Sequence, residues 1–308
     1  MARLRLRFGL LAMAAMALAC PFSANSSAAA QQSFASPQDG FAGLATAIKG
    51  GDLTALEGML GPEGRDIIYS GDDIADANAR TAFAEAYAVK HAIERLDATH
   101  AVLAVGADSW EFPIPLTRQG GAWRFDTATG KEELLNRRIG RNERATIKAS
   151  VAYVAAQREY AAQSDGRYAQ RVVSSAGEHD GLYWPARSGE AQSPLGPLFA
   201  QAASQGYVIP DARPLPNAPS PYYGYLYRIL TAQGPAANGG RRDYVVDGKM
   251  TGGYALIATP ATYGASGVMT FIVDQEGVVF QRDLGPDTAA RAARIAAFNP
   301  DKGWSRTQ

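Results

Sequence analysis

The sequence has few of the side chains that build metal centres and covalent catalysts. It contains one cysteine, Cys20, and three histidines, His91, His100 and His179, among 308 residues. A single cysteine cannot form a disulfide within the chain, and no two of the histidines have a metal-binding spacing such as H-x-x-x-H. The sequence therefore predicts no metal site and no cofactor, and a fold that is held together by packing.

The chain also lacks an excess of charge of either sign. Thirty Lys and Arg residues balance 30 Asp and Glu residues. Binding to nucleic acid depends on clustered Lys and Arg side chains, so this balance argues against nucleic acid as a partner. No serine lies in a G-x-S-x-G or S-x-x-K motif, so the recognisable hydrolase nucleophiles are also missing.

The first 30 residues have the pattern of a secretory signal peptide. Three arginines at positions 3, 5 and 7 precede an apolar run over 8–19, which is too short to remain as a membrane-spanning helix. An A-x-A pattern predicts cleavage after Ala30 and a periplasmic or secreted protein without a transmembrane helix. The alternative is a lipoprotein box at "ALAC", with Cys20 as the lipid acceptor and the protein anchored in the envelope.

Residues 31–128 are predicted to form an N-terminal α+β domain that begins with helices. Ser36 and Asp52 are typical N-cap residues, and apolar residues recur at helical spacing after each of them. A third helix is expected from about residue 74 to residue 96. It would place His91 on one stripe with two aromatic residues of the preceding turns.

Short strands are expected to follow these helices and to form an antiparallel meander with the helices on one face. The predicted strands are 100–107, 109–118 and 121–127. Pro113 and Pro115 place the middle strand at an edge or a bulge, because proline cannot donate to the ladder.

Residues 129–308 are predicted to form a C-terminal domain in which a long helix packs on a sheet. A T-x-x-E capping box at 129–132 opens this helix, which is expected to run to about Gln163. Gly140 and Asn142 predict a break or kink within it.

A proline-rich connection at 210–221 leads into four predicted strands. These strands are 223–230, 253–258, 267–273 and 277–284, with a turn at 274–277 and a short helix after Asp287. The segment 267–273 is apolar on both faces, which is typical of a buried central strand. The whole chain is therefore predicted to be α+β, with an antiparallel sheet in each domain.

The loop "EHDGLYWPARSGEAQSPLGPLF" at 178–199 draws attention because it combines His179 and Asp180 with Tyr183 and Trp184. Adjacent side chains in an extended segment point to opposite faces, so Asp180 is poorly placed to orient His179. The prolines make the segment stiff. We expect a structural loop; the alternatives are an aromatic lip that binds a sugar or peptide and a catalytic site at His179.

Two further groups are candidate site residues. His91 has two interpretations. It is expected to be a structural histidine in the core or at its boundary, and the alternative is a catalytic base. Tyr223, Tyr225 and Tyr227 alternate along one predicted strand, so they would share a face. That face is a stacking platform if it is open and part of the core if a helix covers it, which is the expected case.

Several long motifs resemble one family. They include "EELLNRRIGRNE", "AYVAAQREYA", "DGLYWP", "YRILTAQGP" and "GGYALIATPATYGASGVMTFIVDQEGVVFQRDLG". The chain is similar over nearly its whole length, from about 34 to 304, to bacterial exported proteins of domain of unknown function 2950. The resemblance implies an envelope or secreted protein without assigned activity, and it supplies no catalytic residues.

Two weaker analogies concern shape alone. The element order of 34–128 is similar to that of nuclear-transport-factor-2-like domains, and a long helix before an antiparallel sheet resembles the globular part of pilins. Our leading hypothesis is a non-catalytic protein that binds a cell-envelope component or a protein partner near Tyr183 and Trp184. The alternatives are an envelope hydrolase that uses His179 or His91 with a distant carboxylate, and an assembly protein with a pilin-like shape.

The N-terminal pattern predicts that the exported protein begins at Gln31. Signal peptidase cleaves after a small-residue A-x-A site, and the site at 28–30 lies beyond the apolar run. Intact-mass measurement of the protein recovered from the producing cells and their medium should give the mass of residues 31–308. A lipid adduct that disappears in Cys20→Ser, or an intact chain recovered from the cell interior, would contradict this prediction.

Overall fold

Seven helices and thirteen strands occur in the computed structural model, which describes residues 31–186, 189–208 and 220–307. The helices are α1 (Pro37–Gly50), α2 (Leu53–Leu60), α3 (Arg65–Ile68), α4 (Asp73–Val89), α5 (Thr127–Gln163), α6 (Gly196–Ser204) and α7 (Thr288–Ala293). Cys20, the predicted signal peptide and most of the proline-rich connection lie outside the described residues.

The strands form two main antiparallel sheets. The first contains β1 (His91–Arg95), β2 (His100–Val105), β3 (Trp110–Gln119) and β4 (Ala122–Phe125), in that order. The second contains β5 (Tyr225–Leu230), β10 (Ala255–Pro260), β11 (Met269–Asp274), β12 (Phe280–Asp283) and β13 (Ser305–Arg306). Between β5 and β10 lie two small pairs, β6 (Ala232–Gln233) with β7 (Arg242–Asp243) and β8 (Val245–Val246) with β9 (Lys249–Met250). The mixed α+β class is therefore confirmed.

The predicted N-caps of the first helices are confirmed. The Ser36 hydroxyl accepts from the Asp39 amide at the start of α1, and the Asp52 carboxylate accepts from the Ala55 amide at the start of α2. Asp72 caps α4 in the same way through the Ala75 amide. Each cap satisfies an N–H that has no partner within its helix.

The predicted third helix is too long. It ends at Val89, and residues 91–95 form β1, which pairs in register with β2 from His91 opposite Val105 to Arg95 opposite Ala101. The first sheet therefore has four strands instead of the three predicted. Pairing with a neighbouring strand overrides the local helical pattern of this segment, as tertiary contacts often do.

The bulge predicted at Pro113 and Pro115 is present. Ala101 pairs with Leu116 and Leu103 with Phe112, so one residue of β2 faces three residues of β3. The bulged part of β3 lies against the start of α5, where Gly130 packs against the carbonyl of Pro113. The sheet and the long helix therefore meet at a place where only a glycine fits.

The predicted break in the long helix does not occur. α5 continues through Gly140 and Asn142 for 37 residues. Contacts hold the helix on both sides of the glycine. Arg138 donates to the carbonyls of Asp66 and Ile67 in partly buried hydrogen bonds, and Asn142 donates to the carbonyl of Ser266 at 2.9 Å in a buried one. These contacts offset the weak helical propensity of glycine. No helix in the described part of the chain is both long and apolar enough to cross a membrane.

The second sheet has five strands in the order β13-β12-β11-β10-β5. The four predicted strands are present, and β11 lies at the centre with nearly all of its residues buried, as its apolar sequence indicates. The fifth strand, β13, comes from the C-terminal end of the chain and adds to the edge at β12. The predicted turn is confirmed by the hydrogen bond from the Gly277 amide to the Asp274 carbonyl.

Each sheet has its own hydrophobic core. The N-terminal core includes Phe41, Leu44, Leu103, Ile114 and Trp123. The C-terminal core includes Tyr153, Tyr225, Tyr254, Phe271 and Val273. The domain boundary near residue 128 stays a prediction, because α5 supplies side chains to both cores.

Two glycines of α5 should respond in opposite ways to alanine. A β-carbon at Gly130 would overlap the Pro113 carbonyl, so Gly130→Ala should destabilise the protein by about 1–3 kcal/mol. A β-carbon at Gly140 meets only the flexible Arg144 side chain at 3.4 Å, so Gly140→Ala should stabilise it by roughly 0.5–1 kcal/mol. Urea unfolding of both variants measures these differences. A loss of stability in Gly140→Ala would contradict an uninterrupted α5.

A second prediction concerns the buried carboxyl of Asp274, which is 3% exposed. Burial raises its pKa to about 6, above the value of 3.8 expected in the unfolded chain. The folded state therefore holds the proton more tightly, so this group should reduce stability as the pH rises from about 4 to about 6. Asp274→Asn should remove that loss, which is on the order of 3 kcal/mol.

Urea unfolding of wild type and Asp274→Asn at pH 4, 5, 6 and 7 measures this effect. The difference in free energy of unfolding between the two proteins should grow as the pH rises. Asp283→Asn is the matched control, because Asp283 makes the same hydrogen bond to the backbone two residues ahead at an exposed site. A gap that stays constant with pH would contradict a buried, ionising Asp274.

Candidate functional site

A cleft of about 1140 Å³ lies in the N-terminal part of the protein. One wall is α4, and the opposite side is formed by α1 to α3 and by the β2–β3 end of the first sheet. α5 closes one end, and residues 204–207 and Tyr223 from the C-terminal half reach the mouth. We name this feature the α4 cleft.

The floor of the α4 cleft is apolar. Its deepest side chains belong to the buried N-terminal core, among them Leu44, Leu56 and Phe112. The apolar surface that remains accessible comes from half-buried side chains of the lining: Ile48, Ile67, Phe83, Trp110 and Leu134. An aromatic cluster continues the floor along one side, where Phe83 contacts Phe112 edge-on at 5.4 Å and Trp110 contacts Phe112 at 6.2 Å. A ligand in this cleft would therefore lie against hydrocarbon and aromatic surface.

α4 leaves the cleft open because its cleft-facing side chains are small. Ala75, Ala79, Ala82 and Ala86 recur at helical spacing and all line the cleft. Asp76 is the one buried residue of this 17-residue helix, and α4 contacts the N-terminal core through Phe83, Ala86 and Tyr87, which are half-buried. Larger apolar residues at these positions would be expected on an ordinary amphipathic helix, and they would fill the space.

A buried ion pair marks the end of the cleft near α5. The Asp76 carboxylate accepts from the Ser70 amide at 2.8 Å and lies 3.9 Å from the Arg138 guanidinium. Burial raises the pKa of Asp76 and lowers the pKa of Arg138. Arg138 is held further by the α3 carbonyls, so both charges are compensated within the protein.

Two other arginines line the cleft without such partners. Arg80 and Arg141 form no hydrogen bond and no ion pair with any described residue, although both border the same space. Arg141 is exposed to solvent, although the protein around it removes part of its hydration. This partial desolvation, and then the neighbouring Arg144 and Arg137 guanidinium groups, lower the pKa of Arg141. The charge of Arg80 interacts with the Asp76 carboxylate one turn earlier on α4, whereas the charged neighbours of Arg141 are other arginines.

The mouth of the cleft is built by both halves of the protein around Asp72. This carboxylate is 1% exposed and accepts from the Tyr207 hydroxyl and the Gly224 amide, each at 2.8 Å. Burial, with Asp72 as the next cause, raises the pKa of the Tyr207 hydroxyl, which stays a hydrogen-bond donor. The Gln205 amide group donates to the Tyr223 hydroxyl at 2.6 Å. These bonds fix the C-terminal rim on the first turn of α4.

The three predicted tyrosines do not share a strand. Tyr223 precedes β5 with a positive φ of 49° and lies at the cleft mouth, whereas Tyr225 and Tyr227 are in β5. The Tyr225 hydroxyl donates to the Met269 carbonyl at 2.8 Å, and the Tyr227 hydroxyl lies 3.3 Å from the Thr146 hydroxyl of α5. The prediction of a shared face is wrong for Tyr223, and a helix covers the other two rings.

The loop that includes His179 uses its aromatic side chains internally. The His179 ring stacks on Trp184 with centroids 4.2 Å apart, and the Tyr183 ring stacks on Phe199 of α6 at 4.0 Å. Trp184 is 8% exposed. None of these residues lines the α4 cleft.

Asp180 has its own partners in the same loop. Its carboxylate accepts from the Ser175 amide and hydroxyl and lies 3.4 Å from Arg171. These hydrogen bonds and the arginine lower its pKa, although partial desolvation acts in the opposite direction. His179 and Asp180 therefore contact different groups, as the alternation along an extended segment predicts.

His91 lies on β1 and stacks on Tyr87 with ring centroids 3.9 Å apart, while its Nδ1 lies 3.0 Å from the Tyr87 carbonyl. Neither His91 nor His179 is paired with a carboxylate in the described part of the chain. The histidine that does contact a carboxylate is His100, 2.9 Å from Asp97 in an exposed turn outside the cleft. No set of three or more His, Asp or Glu side chains within the described residues is arranged to hold a metal ion.

Sequence reasoning missed the cleft residues that matter most. The signal for its open wall is the run of alanines in "DIADANARTAFAEAYAV", which is too poor in large apolar residues to fill a core. The signal for its charge is "NRRIGRNER", which places several guanidinium groups within two turns of one helix. Neither pattern is diagnostic alone, because the fold decides which side chains face the same space.

The comparisons with known proteins found one family. The model of a family described as "Protein of unknown function (DUF2950)" matches residues 31–307, which is nearly the whole described chain. Neither the curated proteins nor the solved structures contain a significant match to this sequence. The shape analogies to nuclear-transport-factor-2-like domains and to pilins therefore rest on element order alone.

Proposed function

The chain belongs to the DUF2950 family, which has no assigned activity, and from this premise we propose that it is a non-catalytic binding protein of the cell envelope. The α4 cleft is the binding site, and its occupant is a small molecule with a large apolar surface. The single observation that carries this proposal is an apolar cleft of about 1140 Å³, in which α4 presents four alanines to the open space.

The cleft has the composition of a ligand site. Pockets that bind small molecules are concave, mostly apolar and lined by a few convergent polar groups, and they span roughly 300–1000 Å³. The α4 cleft is slightly larger, has hydrocarbon and aromatic walls, and has polar groups at its α5 end and its mouth. An unfilled apolar cleft lowers the stability of the protein. A role in binding explains why such a cleft is kept.

The predicted address supports a ligand from the envelope. The N-terminal pattern of arginines, an apolar run and an A-x-A site favours export, and an exported binding protein meets lipids, glycans and peptides rather than nucleotides. The hydrolase alternative at His179 or His91 and the assembly alternative remain hypotheses. Their residues contact aromatic side chains instead of carboxylates or an open cavity.

Binding of a neutral apolar dye tests the proposal directly. Nile red should bind the purified protein saturably at one site, because the cleft floor is apolar. Ala79→Leu combined with Ala82→Leu should weaken that binding about tenfold or more, because the added side chains fill the cleft. Fluorescence titration measures both, and circular dichroism checks the fold.

Ala77→Leu is the matched control, because Ala77 is on the same helix, is exposed and does not line the cleft. It should leave the dye affinity unchanged. Absence of saturable dye binding to wild type, or equal binding by the filled double variant, would show that the α4 cleft is not a binding site.

A further inference from the structure

The α4 cleft carries an excess of positive charge, which comes from arginines on α4 and α5. Its lining contains four arginines, Arg80, Arg137, Arg138 and Arg141, and two aspartates, Asp76 and Asp108. A formal excess of positive charge in a concave site with low-dielectric walls concentrates its effect on whatever enters. The charge state of an occupant can therefore be argued from how these groups are paired.

Two of the four arginines are already engaged by the protein. Arg138 donates to the α3 carbonyls and lies beside Asp76, so it is a structural contact between helices. Arg137 pairs with Glu133 and lies 5.5 Å over the Trp110 ring. Neither needs a ligand to satisfy its charge.

Arg141 differs from these two. Its guanidinium has only other guanidinium groups as charged neighbours, those of Arg137 and Arg144, and it has no hydrogen-bond acceptor among the described residues. Like charges held together are unfavourable unless an anion lies between or beside them. Arg80, on α4, borders the same cleft, but its charge interacts with the Asp76 carboxylate.

The apolar part of the site has a definite extent. The lining alanines run from Ala75 to Ala86, which is about 16 Å of helix at 1.5 Å per residue. The cleft therefore offers a long apolar wall with positive charge at the α5 end. A molecule that matches both features has an extended hydrocarbon body and one acidic end.

We propose that the α4 cleft binds an amphipathic anion, with the acidic group on Arg141 and the hydrocarbon chain along the apolar floor beneath α4. This inference rests on the proposed binding function and adds the chemical class of the ligand. A carboxylate and a phosphate share the required chemistry, because each accepts paired hydrogen bonds from a guanidinium. The single-chain lipid anions of an envelope belong to this class.

Four probes with the same twelve-carbon chain separate charge from apolar contact. Dodecanoate, dodecyl phosphate, dodecanol and dodecyltrimethylammonium should be titrated against the protein with Nile red bound, each below its micelle-forming concentration. The two anions should displace the dye at concentrations about tenfold or more below that of the alcohol, since hydrogen bonds to a charged group add to the apolar contact. The cation should bind most weakly of the four. Whichever anion binds more tightly distinguishes a carboxylate from a phosphate ligand.

Arg141→Gln identifies the contact. It should weaken displacement by the preferred anion about tenfold and leave displacement by dodecanol unchanged. Arg144→Gln is the matched control, because Arg144 is exposed one turn further along α5 and does not line the cleft. Its effect on the anion should be about twofold or less, because Arg144 acts on the site only through its charge and supplies no hydrogen bond inside the cleft.

The outcomes separate the two proposals. Equal displacement by all four probes would overturn the anion specificity and leave the apolar binding site standing. An equal loss in Arg141→Gln and Arg144→Gln, or no loss in Arg141→Gln, would overturn the direct contact. Failure of every probe and of Nile red to bind would overturn the binding function itself.

Discussion

The continuity of α5 is the constraint on which the rest of the structure depends. This helix is 37 residues long and belongs to both cores. Its polar side chains are fixed from two directions, since Arg138 binds the α3 carbonyls and Asn142 binds the Ser266 carbonyl. Glu143 adds two hydrogen bonds to the amides of Val268 and Met269. One helix therefore positions the end wall of the cleft and the C-terminal sheet together.

The position of each arginine on the cleft wall follows from this arrangement. Residues three and four apart on a helix share a face, so Arg137, Arg138 and Arg141 all reach the same side of α5. Their surroundings differ because α3 carbonyls cover Arg138, Trp110 lies beneath Arg137, and open space faces Arg141. One short motif thus supplies a structural clamp, an aromatic contact and an unpaired charge. The packing around the helix, and not the motif, assigns these roles.

Much of the fold could be predicted from local patterns. Helix caps at Ser36 and Asp52, the turn at 274–277 and the buried strand β11 each depend on a few neighbouring residues or on a continuous apolar run. The errors arose where distant contacts decide. Residues 91–95 are helical in pattern but pair with β2, and Gly140 stays helical because contacts flank it. The edge strand β13 has two residues and no pattern of its own.

The candidate site was less predictable, for a physical reason. Sequence analysis favoured the aromatic residues of 178–199, but stacking of His179 on Trp184 and of Tyr183 on Phe199 uses those rings inside the protein. The α4 cleft is instead defined by what is absent from a helix face, and small side chains leave no motif. An alanine face can equally pack closely against a neighbouring helix, and only the folded structure shows that space remains beside these alanines.

The unpaired charge of the cleft is carried by an arginine, Arg141. An arginine suits a site that must stay positively charged while the protein partly encloses it. Partial enclosure disfavours the ionised form of any basic group, and a lysine at position 141 would lose its proton far more readily than a guanidinium. Enclosure and the neighbouring Arg144 and Arg137 lower the pKa of Arg141, but an arginine begins from so high a pKa that it keeps its proton in proteins. The same planar group can present two N–H donors to one acid, which a lysine cannot do. The cleft therefore combines a permanent positive charge with an apolar wall, and this combination is what favours an amphipathic anion over a neutral ligand.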